Sequence, residues 1–107
     1  TNLAKSKDEL HLALKHSEDV VKKWPKSNDF LFNRGVAYLK CGEYHKAQND
    51  FQTVLKDQRL ETENAYLRYL LGVTYIHLGH FAPANDEFGK ASKIIAEIKV
   101  DDPSPLF

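Results

Sequence analysis

The chain has 107 residues, with 15 basic and 15 acidic side chains, and so carries no formal net charge when its histidines are neutral. That length makes about one domain, the balance argues against a protein built to neutralise phosphates, and the one cysteine, Cys41, cannot close an internal disulfide. Apolar residues make up 42% and charged residues 28%, as in a folded soluble domain, and no apolar run is long enough to span a bilayer. Thr1–Leu10 holds Lys5 and Lys7 but no apolar block of signal-peptide length, which points to an intracellular, cytoplasmic module. There is no methionine anywhere, and the chain reads as a piece of something longer.

In chain order, Ser6 with Glu9 has the spacing of a capping box and predicts a helix starting near Lys7. Leu10, Leu14, Val21 and Trp24 lie on one side of it, and it halts before Pro25 because a residue ahead of proline avoids the helical region. Asp29–Cys41 has Phe32, Val36 and Leu39 at helical spacing. Gly42 follows, suited to the left-handed residue that closes a helix. Tyr44–Asp57 carries a second amphipathic stripe of Tyr44, Ala47, Phe51, Val54 and Leu55. Glu63–Leu78 predicts a fourth helix stopped by Gly79. Phe81–Ile98 predicts a fifth, with Pro83 tolerated in its first turn. Residues 99–107, ending in DDPSPLF, are expected to be an extended tail.

Gly35, Val36, Tyr38, Gly42, Ala47 and Phe51 each recur 37 residues later, as Gly72, Val73, Tyr75, Gly79, Ala84 and Phe88. Tyr44 and Phe81 form an aromatic pair in the same register. Such a set at one offset is a tandem repeat whose unit is a helix pair with a tight turn. Ala13 and Val20 stand 34 residues before Ala47 and Val54, so residues 7–24 read as the second helix of a preceding unit. The expected division of the single domain 1–107 is a half-repeat at 7–24, repeats at 28–61 and 65–98, and the tail.

These residues resemble the tetratricopeptide repeat family, through Gly35, Tyr38, Gly42, Tyr44, Ala47 and Phe51, and through Gly72, Tyr75, Gly79, Phe81, Ala84, Phe88 and Ala91. The resemblance covers about residues 28–98. It implies an all-α, right-handed superhelical solenoid of antiparallel helix pairs, with about five helices in this chain. There are two departures. The family period is about 34 residues, so about three extra residues are expected within Lys56–Glu63, as a longer second helix or a bulging loop. The leading apolar residue of the first helix, Leu31, is answered by Arg68 in the next unit.

The resemblance implies that partners lie along the first helix of each pair, on a concave face. The inward stripe projects as Asp29, Phe32, Asn33, Val36 and Lys40, then Tyr66, Tyr69, Leu70, Val73 and His77. A protein or peptide partner would bind through apolar anchors, with Asn33 bonding a peptide backbone. This is the expectation for a non-catalytic scaffold or adaptor. The competing reading is that part of the stripe packs against a neighbouring helix of a larger protein. One subset of the family clamps the C-terminal carboxylate of chaperones. Only Asn33 matches that clamp, and Tyr66 and Leu70 stand where a basic pair would be.

Other chemistries find less support. Cys41, His45, His77 and His80 flank the two turns, but turns of packed helices lie about 10 Å apart and no ligand pair has zinc-finger spacing, so no metal is expected. There is no phosphate loop, HExxH helix or Gly-x-Ser-x-Gly elbow. Cys41 with His45 sits at a helix C-terminus, where the dipole disfavours a thiolate. Asp50 and Glu87 read as solvated charge on outward faces. Neither an enzyme nor a cofactor is expected. Phe32, Tyr66 and Tyr69 have the rings to stack on bases. Yet residues 28–64 hold five basic against six acidic side chains and 65–107 four against five, which argues against nucleic acid. No membrane partner is expected. The last helix carries Phe88, Ala91, Ile94, Ile95 and Ile98 with no polar capping helix after it. Its Ile94–Ile98 edge is therefore a second candidate contact, for a homo-oligomer, unless Leu106 and Phe107 fold back over it.

Overall fold

A computed structural model describes residues 2–57 and 64–101, with side chains placed for 5–57 and 65–97. Five helices follow one another among them: α1 Asn2–Lys23, α2 Asn28–Lys40, α3 Tyr44–Leu55, α4 Asn64–His77 and α5 Phe81–Asp101. α2 packs on α3 and α4 on α5, while α1 lies against α2 and α3 against α4. The fold is an all-α array of helix pairs, as the repeat predicts.

The turns within the pairs follow from their glycines. Gly42 and Gly79 have φ of 81° and 79°, a region that costs an L-residue with a Cβ. In the first turn the Gly42 and Glu43 N–H groups donate to the carbonyls of Leu39 and Tyr38; in the second, Gly79 and His80 donate to Ile76 and Tyr75. This 5→2 and 6→1 pattern is the Schellman closure. It satisfies the last carbonyls of α2 and α4 and reverses the chain. At the other end of α2, Ser27 caps the helix by accepting from the Phe30 N–H.

Close approach within each pair rests on a second pair of glycines. A Cβ on Gly35 would lie 2.7 Å from the Phe51 ring, and one on Gly72 would lie 2.6 Å from the Phe88 ring. Ala47 and Ala84 are fully buried beside them. The core runs through Val21, Leu31, Tyr38, Ala47, Phe51, Val54, Leu67, Leu70 and Leu71, so residues of α1, α2, α3 and α4 share one apolar cluster.

Several expectations are corrected. α1 starts at Asn2, so Ser6 lies within the helix and is not its N-cap; Leu3, Ala4 and Lys5 are strong helix formers and carry the helix through it. Trp24 lies past the end of α1 and leaves the apolar stripe, 56% exposed, whereas Val21 is buried. α3 ends at Leu55, so a longer second helix does not take up the extra residues as far as Asp57. Residues 58–63 lie outside the described residues. α5 continues to Asp101, through the start of the expected tail; residues 102–107, with Leu106 and Phe107, are outside the description.

The largest correction concerns charge. Asp50 and Glu87 are not solvated but 4% and 8% exposed. Arg34 grips Asp50 with two hydrogen bonds, Nε to Oδ2 at 2.8 Å and Nη2 to Oδ1 at 2.6 Å. Arg68 donates to Glu87 at 2.9 Å. Each bond ties the first helix of a repeat to its second. The Asp50 carboxylate, chiefly by hydrogen bonding, raises the pKa of the Arg34 guanidinium further.

Candidate partner-binding face

α2 and α4 place most of the expected stripe together. On α2, Asp29, Asn33 and Lys40 are exposed, and Phe32 and Val36 are half-buried against the core. On α4, Tyr66 and Tyr69 are 60% and 51% exposed, Val73 is half-buried and His77 is exposed. Leu70 does not belong to the stripe. It is buried in the core cluster with Leu67 and Leu71, because α4 turns that side toward the preceding pair.

Aromatic rings join the two helices into one surface. Tyr66 lies 5.8 Å from Phe32, and Phe32 lies 5.9 Å from the fully buried Phe51. Tilted contacts at this distance are favourable for ring quadrupoles and anchor exposed Tyr66 to the core. At the far end of α4, His77 stacks on Tyr44 with centroids 4.4 Å apart and planes within 8°. The Gln52 amide donates to the Tyr75 hydroxyl at 2.9 Å, a second polar link between the repeats. Asn33 lines a hollow of about 110 Å³ with His16, Ser17, Val20 and Phe30, between α1 and α2.

Ile76 escaped the sequence reading. It is 41% exposed, three residues after Val73 and seven after Tyr69, on the same helical face. Its signal was the equivalence with Leu39 one repeat earlier. The histidine–cysteine set separates: His77 stacks on Tyr44, and the Cys41 thiol is directed to the Leu10 carbonyl at 3.6 Å. Burial, then Glu43 and Glu18, push that thiol above its ordinary pKa. No three His, Cys, Asp or Glu side chains gather as metal ligands among the described residues.

The turn closure, the glycine–ring approaches and the paired helices meet a family model of the tetratricopeptide repeat at residues 29–56. Over those residues the chain is similar to the tetratricopeptide repeat, and the match supports that family. The match covers α2 and α3, and α4 and α5 repeat their contacts 37 residues on. No curated protein and no solved structure matches the chain. A tetratricopeptide repeat suggests a protein–protein interaction module. No helix among the described residues is long and apolar enough to cross a membrane.

Proposed function

We propose that this tetratricopeptide module is a non-catalytic, cytoplasmic scaffold or adaptor domain that holds a peptide or helix of a partner protein against α2 and α4, the inner face of a right-handed array. The observation that carries the reading is the aromatic surface of α4, where Tyr66 and Tyr69 are both more than half exposed, Tyr66 beside Phe32 of the neighbouring repeat and Tyr69 against Phe88 of its own. Large exposed aromatics that are rigidly backed make anchors at low entropic cost. Asn33 and Lys40 flank them with hydrogen-bonding groups for a peptide backbone and an acidic side chain. Val73 and His77 extend the surface along α4.

Capture of partners by immobilised wild type is compared with Tyr69→Ala and with the double variant Asn33→Ala/Lys40→Glu. Both variants should lose the captured set while retaining wild-type helicity by circular dichroism. Capture of the same set by both would reject the groove.

A further inference from the structure

The surface that α2 and α3 offer to α4 recurs on α4 and α5, and there the described residues leave it open. In the first copy Phe32 leans on Phe51 with planes at 51°, next to buried Val54 and half-buried Leu55. α4 closes over this copy, with Tyr66 on Phe32 and with Leu67, Leu70 and Leu71 in the same core cluster as Phe51 and Val54. One repeat later Tyr69 leans on Phe88 at 5.8 Å and 47°, and Ala91 and Ser92 take the positions of Val54 and Leu55. With Ala65, Tyr66 and Ile95 these residues line an open hollow of about 500 Å³.

Two other contacts show the same asymmetry. Tyr44 is stacked by His77, whereas its equivalent Phe81 is 61% exposed. Leu39 packs against the core, whereas its equivalent Ile76 is exposed.

We propose that the α4–α5 face docks an amphipathic helix of a partner protein, seated as α4 is seated on α2 and α3. α4 itself defines the chemistry. Tyr66, Leu67, Leu70 and Leu71 meet the first copy near the helix start, and His77 meets Tyr44 eleven residues after Tyr66. Eleven residues span about 16 Å of helix and return to nearly the same side. The docked helix therefore carries apolar residues at i, i+1, i+4 and i+5, and a planar side chain at i+11. Ala91 and Ser92 are smaller than Val54 and Leu55, so this copy of the surface takes a bulkier residue, such as phenylalanine, where α4 supplies leucine. A second copy of the chain fits less well through α1, whose exposed side carries Lys15, Asp19, Lys22 and Lys23. The site shares Tyr66 and Tyr69 with the groove proposed above and adds Ser92 and Ile95 of α5, which that groove does not use.

The probe is a fluorescent synthetic peptide of residues 64–78 carrying Leu70→Phe and terminal lysines, titrated into the full chain by anisotropy. Saturable binding is expected, weakened about tenfold or more by Ile95→Asp and by Ser92→Arg. Both positions are exposed, and circular dichroism checks each variant. Asn33→Ala/Lys40→Glu should bind the peptide as wild type does, which keeps this outcome separate from that of the groove. The proposal is overturned if wild type gives no saturable binding, or if both α5 variants bind equally well. It is also overturned if the chain alone is a dimer that Ile95→Asp makes monomeric, since the occupant is then a second copy. Tighter peptide binding by Leu106→Asp/Phe107→Asp would likewise overturn it, by assigning the face to the chain's own C-terminal segment.

Discussion

Arg68 donates from Nη1 to Glu87 Oε2 at 2.9 Å, closing over a carboxylate that the fold has nearly removed from water. The preceding repeat makes the same tie from a different rung of its helix. Asp50 is equivalent to Glu87, but its partner Arg34 is equivalent to Leu71, while Leu31 is equivalent to Arg68. Leucine and arginine have exchanged places three residues apart, and both repeats still bury one leucine and neutralise one acid.

This exchange predicts a rescue. Arg34→Leu leaves the Asp50 carboxylate buried without its arginine and should cost about 2–3 kcal/mol, below the range for a fully buried pair because Arg34 is partly exposed. Adding Leu31→Arg moves the arginine to the register of the second repeat and should recover most of the loss. Urea denaturation of the three proteins measures this, and a double variant no more stable than Arg34→Leu would refute the equivalence.

Gly35→Ala and Gly72→Ala should each destabilise the fold by about 1–3 kcal/mol, because the new methyl meets a ring that the core cannot easily shift. Thermal unfolding gives the comparison. Substituting Phe51→Leu in the Gly35→Ala background should make the methyl less costly than it is beside phenylalanine.

Tyr38 offers a spectroscopic test. Burial, then its hydrogen bond to Glu18, push its phenol above the ordinary 10.0. A folded-state value that is raised means that the contribution to stability is complete below the ordinary tyrosine value and is lost as pH rises through the folded one. Ultraviolet titration of the five tyrosines should contain a late component that Tyr38→Phe removes, with alkaline unfolding above it.

The stack of Tyr44 on His77 predicts coupling between repeats. Tyr44→Ala should cost about 0.5–1.5 kcal/mol beyond the lost area. It should also raise amide exchange in α4 and α5 more than in α2. Equal effects on both pairs would show that the stack does not couple them.

The helix pairs were legible because glycine, alanine and phenylalanine recur where backbone must approach backbone, and only a few residue types fit there. The Schellman turns at Gly42 and Gly79 were legible for the same reason. The acids were not. Asp50 and Glu87 look solvated along their own helices, and only the arginines of the partner helices explain their burial. That signal was present as the Leu31/Arg34 and Arg68/Leu71 exchange, but it links residues on different helices. Leu70 was misplaced because one helical projection cannot show that α4 packs on the preceding pair as well as on its own. Ser6 failed as a cap because good helix formers precede it.

The most direct measurement of the central claim is amide chemical-shift mapping of the isotope-labelled chain as a captured partner is added. Shifts at Asn33, Lys40, Tyr66, Tyr69 and His77, with α3 at Thr53 undisturbed, are the predicted result. Shifts confined to α3 and the outer side of α1, with Tyr66 and Tyr69 unmoved, would contradict it.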